Sequence, residues 1–130
     1  MNKRKFGIIG EKLAQGFLIN KGYEILGANF FSRKGEIDIV ARKDNIIVFV
    51  EVKTRTNLNY GRPAMAVNYT KRKHLRNAAK IFIHINRLYE YDVRFDVVEV
   101  LIEDGKCKIN QIEGIMWNNL QKIPLEVIIY

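Results

Sequence analysis

The sequence predicts an alternating α/β fold in a single domain over residues 1–130, and three observations predict it. Two segments repeat apolar residues at three- and four-residue spacing, the period of an amphipathic helix. Several strand-length runs rich in Val, Ile, Phe and Tyr lie between and after them, bounded by Gly, Asp and Asn. The composition, 48% hydrophobic and 28% charged over 130 residues, suits a chain that buries a core without disulfides.

The elements follow in chain order. From Gly7 to about Lys21, Ile9, Leu13 and Phe17 recur at four-residue spacing with Ala14 and Leu18 beside them, and Gly22 suits a helix stop. Tyr23–Phe31 reads as a strand. Gly35–Lys43 and Ile46–Arg55 read as two more, joined by Asp44-Asn45. Thr56–Gly61 is a polar loop, and Pro63 suits the first turn of a short helix. Thr70 can cap a longer helix running to about Asn86, whose apolar stripe is Leu75, Ala78, Ala79, Phe82 and Ile85. Val93–Ile102 is β-rich, Asp104-Gly105 is a hairpin signal, and Lys106–Ile112 returns. No pattern places the segment after Gly114; Trp117 there is expected to pack at an edge.

The hairpin of Gly35–Lys43 and Ile46–Arg55 holds the most informative residues. With Asp44-Asn45 as a two-residue loop, Asp38 falls opposite Glu51 and Glu36 opposite Lys53. Directly paired residues share a face, so these four emerge together, with Val40, Ile47 and Phe49 continuing that side toward the turn. The opposite face, Ile37, Ile39, Ala41, Ile46, Val48, Val50 and Val52, is apolar and is expected against the core. A one-residue slip would mix the two sets, so the pattern argues for this register. Facing carboxylates repel. A hard divalent cation, Mg²⁺ or Mn²⁺, would compensate through oxygen ligands from Asp38 and Glu51, whereas no Cys/His cluster accompanies them to suit zinc. Such a cation can bind a phosphodiester oxygen and acidify a water, and Lys53 on the same face can orient that water or neutralise phosphate charge. The bland alternative is a solvated face of weak ion pairs; the apolar runs on both strands weigh against it.

Charge and cysteine usage bound the partner and the compartment. Lys and Arg number 22 against 14 Asp and Glu, a net charge of +8, which favours polyanions. Cys107 is the only cysteine, so no intrachain disulfide forms, in keeping with a reducing compartment. Met1–Lys5 resembles the charged start of a signal peptide, but Phe6–Gly10 is too short for its apolar region and Glu11-Lys12 interrupts it. A cytoplasmic location without membrane association is expected.

Asp38 followed by Glu51-Val52-Lys53 resembles the PD-(D/E)XK nuclease signature, with Ile37 where that signature has proline. A closer resemblance is to the YraN-type family of bacterial endonuclease-like proteins. It rests on Gly10-Glu11-Lys12-Leu13-Ala14, Gly35-Glu36-Ile37-Asp38-Ile39-Val40-Ala41, Phe49-Val50-Glu51-Val52-Lys53-Thr54-Arg55, Gly61-Arg62-Pro63 with Ala66-Val67, and Arg94-Phe95-Asp96-Val97-Val98. The resemblance implies a restriction endonuclease-like core, a mixed central sheet of about five strands flanked by helices. It implies Asp38 and Glu51 as metal ligands, Lys53 as catalytic lysine, and Glu11 as an auxiliary acid near the metal; Glu36, from its place on the same hairpin face, is expected to join the catalytic set. Read from its position alone, Glu11 would equally serve the dipole of an early helical turn.

The helix after Thr70 carries Lys71, Arg72, Lys73, Arg76, Lys80 and Arg87 and no acid. Lys73, Arg76 and Lys80 lie opposite the apolar stripe, where a phosphate backbone is a fitting counterpart. Lys71, Lys73, Arg76 and Lys80, with Arg55 and Arg62, make the expected nucleic-acid contacts; Arg33 and Lys34 could extend that surface. His74 and His84 read as structural or exposed, and Asp96 and Glu99 as outward-facing or supporting. Two functions fit: a metal-dependent nuclease acting on DNA or RNA, with DNA the favoured partner, or a non-catalytic nucleic-acid-binding module on the same fold. Resolvases act on two strands, which leaves a homodimer open.

Overall fold

The structure, a computed structural model, describes residues 3–56 and 69–114. Helix α1 (Lys3–Asn20) leads into strands β1 (Glu24–Ser32), β2 (Gly35–Lys43) and β3 (Ile46–Arg55); helix α2 (Tyr69–Ile85) precedes β4 (Asp92–Glu103) and β5 (Lys106–Ile112). The expected loop beyond Thr56, the short helix at Pro63, Arg62, and the tail with Trp117 lie outside the described residues.

The five strands form one mixed sheet in the order β1-β2-β3-β4-β5. Only β3 and β4 run parallel, from Ile46↔Asp92 to Arg55↔Leu101, and α2 lies in the crossover that a parallel pair requires. The other neighbours are antiparallel. This is the α/β, restriction endonuclease-like arrangement that the sequence predicts. Among the described residues, no helix is long and apolar enough to cross a membrane.

Both faces of the sheet are covered, so its central strands are apolar on both sides. One layer packs α2 residues Leu75, Ala78, Ala79, Phe82 and Ile83 on Val40, Ile47, Phe49, Val93, Phe95 and Val97. The other packs Ala14 and Leu18 of α1 on Ile39, Ala41, Val48, Val50, Val98 and Val100. In α2, Ile83 takes the place expected of Ile85, which is 62% exposed near the helix end. In α1 the buried row is Gly10, Ala14 and Leu18 rather than Ile9, Leu13 and Phe17. Gly10 explains the rotation: a Cβ there would collide with the Thr54 side chain, so the helix seats its smallest residues against β3.

The β2–β3 register is the expected one from Lys43↔Ile46 to Ile39↔Val50. The Asp104-Gly105 turn has positive φ at both residues, as a type I′ hairpin needs. Thr70 lies already inside α2, so it is not the cap.

Candidate functional site

The β2–β3 ladder stops at Ile39↔Val50, one pair short of Asp38 and Glu51. There the two strands part. The Asp38 carboxylate takes over from the ladder: its Oδ2 accepts a 2.8 Å hydrogen bond from the Val52 backbone N–H. On the other side of β2, Asn29 has φ 53°, a left-handed conformation that a short polar side chain tolerates. Around this point the alternation of β2 changes phase. Ile37 packs in the α2 layer with Val40, although Ile39 packs in the α1 layer. The expectation that Ile37 shares a face with Ile39 is therefore corrected. Likewise Glu36 is not paired with Lys53; its partner is Phe31 across β1–β2.

Asp38 and Glu51 nevertheless come together, as expected. Glu51 is only 8% exposed. Lys71 Nζ lies 2.7 Å and Lys53 Nζ 3.4 Å from its Oε1. The Asp38 carboxyl is pushed up to about 7, first by burial and then by the negative charge of Glu51, against the stabilising Val52 N–H. The Lys71 ammonium is held above its ordinary value: burial alone would lower it, but the hydrogen bond and charge of Glu51 outweigh that. Glu11 approaches from α1. Its carboxyl is raised by burial, with a hydrogen bond from Asn29 opposing and the charges of Glu51 and Glu36 adding. Because α1 begins at Lys3, Glu11 lies beyond the first turns, and the helix-dipole reading of it falls away.

These groups open into a cleft of roughly 390 Å³ lined by Gly35, Glu36, Asp38, Glu51, Thr70, Lys71, His74 and Leu75. Gly35 lets the hairpin approach α2: with φ 153°, it is placed so that a Cβ would lie 3.0 Å from the His74 carbonyl oxygen. Thr70 and His74 are cleft residues that the sequence reading missed. Their signal was their spacing with Lys71 on one side of the first helical turns, legible only once α2 is known to dock on β2.

The expected basic face divides. Lys71 turns inward onto Glu51, whereas Lys73 and Arg76 are exposed on α2. Lys80 is half-buried, its ammonium lowered by burial and by Arg76 nearby. Arg55 ends β3, half-buried. Asp96, expected to face outward or to play a supporting role, is 1% exposed. It accepts 2.9 Å hydrogen bonds from Arg94 Nε and Nη2, one of 2.8 Å from Gln111 Nε2, and one of 3.1 Å from the Gly114 N–H. Arg94 reaches on to the Tyr23 hydroxyl at 2.7 Å. This buried network ties β4 to β5 and to the connection between α1 and β1.

The donors at the cleft are carboxylate oxygens, which suit a hard cation and not zinc. Among the described residues no three Asp, Glu, His or Cys side chains converge on one point. A hard cation here would be held by Asp38 and Glu51 with water completing its shell, since Mg²⁺ commonly binds through one or two carboxylates.

Fold and site together define an α/β protein with a restriction endonuclease-like core and an acid–lysine cleft where β2 and β3 part. Residues 10–100 match the model of the family described as Uncharacterised protein family UPF0102. Similar proteins described as UPF0102 proteins occur in Caldicellulosiruptor bescii (50% identical over 114 residues, 86% of this chain and 94% of the relative) and Alkaliphilus oremlandii (50% over 116 residues, 88% and 98%). A third, from Chloroherpeton thalassium, is 50% identical over 101 residues, 78% of each chain. The chain belongs to the UPF0102 family, the YraN-type family that its motifs resemble.

Proposed function

We propose that this chain is a divalent-metal-dependent nuclease of the cytoplasm that hydrolyses phosphodiester bonds of nucleic acid, DNA in preference to RNA. The observation that carries this reading is the meeting of Asp38 and Glu51, with two lysines on Glu51, at the floor of an open cleft. Burying like charges costs stability, and a bound cation would offset that cost. A cation held by Asp38 and Glu51 would supply Lewis acidity to a phosphate oxygen and acidify a water. Lys53 stands beside Glu51, where it can neutralise charge developing on the phosphate, and Glu36 of the cleft can orient water, with Glu11 close enough to Glu51 to share its field. Exposed Lys73 and Arg76 supply the phosphate contacts away from the chemistry.

One observation favours a second reading, a nucleic-acid-binding module that cuts nothing. Lys71 already sits 2.7 Å from Glu51 and itself compensates that charge. A cleavage panel separates the two. Wild type, Asp38→Asn and Glu51→Gln are incubated with single-stranded, duplex, flapped and four-way-junction DNA and with structured RNA, in Mg²⁺, Mn²⁺ or EDTA. Cleavage stopped by EDTA and by both substitutions is the expected result. Retained binding without cleavage on any substrate would overturn the nuclease in favour of the module.

A further inference from the structure

Phe31 is out of place for a residue so near the core. It is 71% exposed within β1, and Phe30, its neighbour, packs edge-on against Phe82 with ring centroids 5.1 Å apart. Directly paired strand residues share a face, so Phe31 lies on the side of Glu36, its partner and a residue of the cleft. The turn that follows is Ser32-Arg33-Lys34-Gly35. It is braced: Ser32 Oγ donates to the Gly35 carbonyl at 2.8 Å and accepts from the Lys34 N–H at 3.2 Å. Gly35 is pressed on the His74 backbone, which fixes the hairpin end beside the cleft.

An exposed aromatic can mean a protein-binding patch, but such patches are contiguous apolar areas. The residues beside Phe31 along the chain and across the ladder, Ser32, Arg33 and Glu36, are polar or charged. The other large exposed apolar residues, Ile8, Ile9, Ile19 and Ile85, belong to the helices. A single flat ring beside a turn that carries two exposed cations, Arg33 and Lys34, suits a nucleobase, whose face stacks on the ring while its phosphates meet the cations. A base inside a duplex has both faces covered by its neighbours.

We propose that the β1–β2 hairpin end is a stacking post for an unpaired nucleobase. Phe31 is the stacking surface and Arg33 and Lys34 are the phosphate contacts, so that the nucleic acid entering the cleft is single-stranded or locally unpaired. The inference deepens the nucleic-acid reading above and rests on it.

Binding separates this inference from the question of cleavage. A labelled oligonucleotide, as a single strand and as a long blunt duplex, is titrated by fluorescence anisotropy without divalent cations against wild type, Phe31→Ala, Phe31→Trp and Arg33→Gln/Lys34→Gln. Stacking on one ring predicts that Phe31→Ala weakens single-strand binding by about 5- to 150-fold. Duplex binding stays within about two-fold, and Phe31→Trp restores the loss. The double substitution weakens both and flattens the salt dependence. An unchanged thermal midpoint in Phe31→Ala shows that the fold is intact. Equal loss on both substrates, no loss on either, or no binding by wild type would overturn the post. If wild type cleaves and Phe31→Ala binds normally, the nuclease stands and the post falls; a Phe31-dependent single-strand preference without cleavage gives the reverse.

Discussion

Asp38 Oδ2 accepts the Val52 backbone N–H at 2.8 Å where the β2–β3 ladder has ended. One carboxylate thus serves both the fold and the candidate chemistry, and substitution can separate the two roles. Asparagine keeps an oxygen acceptor for Val52 and removes the charge. Asp38→Asn is expected to match or exceed wild-type stability in a urea titration while losing all cleavage. Asp38→Ala leaves the Val52 N–H without its acceptor and is expected to lose about 1–3 kcal/mol.

The same carboxyl sets an unusual pH dependence. Its pKa rises from 3.8 to about 7 on folding, mainly through burial and then through Glu51. The folded state therefore binds more protons than the unfolded state between those values, and stability increases as pH falls through that window. Glu11, also raised, acts in the same sense. Metal-free protein is expected to have a higher urea midpoint near pH 5 than near pH 8, and Asp38→Asn to flatten the profile. A midpoint rising with pH in wild type would contradict the burial of this pair.

The β2–β3 register was legible because Asp44-Asn45 marks a two-residue turn between two strand-length runs, and the pairing that turn sets holds from Lys43↔Ile46 to Ile39↔Val50. The phase change at Ile37 was not legible. It goes with the left-handed Asn29 and the Glu11 bond from α1, contacts between segments far apart in sequence. For the same reason Lys71 read as one more cation on a basic helix, although it folds onto a carboxylate twenty residues earlier. Asp96 read as outward because a charge in an apolar strand seldom goes inward unpaired; Arg94, two residues before it on the same face, is the partner that permits it.

That pairing makes a stability prediction away from the cleft. The Arg94 side chain is 11% exposed and its guanidinium is raised further, since the Asp96 and Tyr23 contacts outweigh burial. Asp96→Ala removes both Asp96 hydrogen bonds of Arg94 but leaves it Glu113 at 3.2 Å and the Tyr23 hydroxyl, and is expected to cost about 1–3 kcal/mol. Replacing both residues with apolar ones should recover much of that loss, measured by a double-mutant cycle in urea.

The outer face of α2 makes a prediction about affinity instead. If Lys73, Arg76 and Lys80 each neutralise a phosphate, changing any one to Gln lowers the slope of log K against log salt by about 0.9 on duplex. The half-buried Lys80 should contribute least, because its ammonium is less accessible to a phosphate backbone than the cations of the exposed Lys73 and Arg76. Slopes unchanged in all three variants would move the phosphate path off this helix.

Two glycines of α1 offer a matched test of how that helix seats on the sheet. A Cβ at Gly10 would run into the Thr54 side chain, and one at Gly16 would meet nothing within 4 Å. Alanine is the better helix former at both positions by about 1 kcal/mol. Gly16→Ala should therefore stabilise the protein by up to that amount. Gly10→Ala should destabilise it by about 1–3 kcal/mol, the usual cost of an overpacked contact. The Gly10 change should also reach the chemistry, because Glu11 is the next residue and Thr54 follows Lys53. Lifting α1 off β3 would carry Glu11 away from Glu51, and cleavage should fall more than the loss of stability explains. Thr54→Ala made in the Gly10→Ala background removes the Oγ1 and Cγ2 contacts but keeps the residue-54 Cβ at 2.8 Å, so it should restore both readouts in part. If it restores stability alone, Glu11 has no part in the cleft.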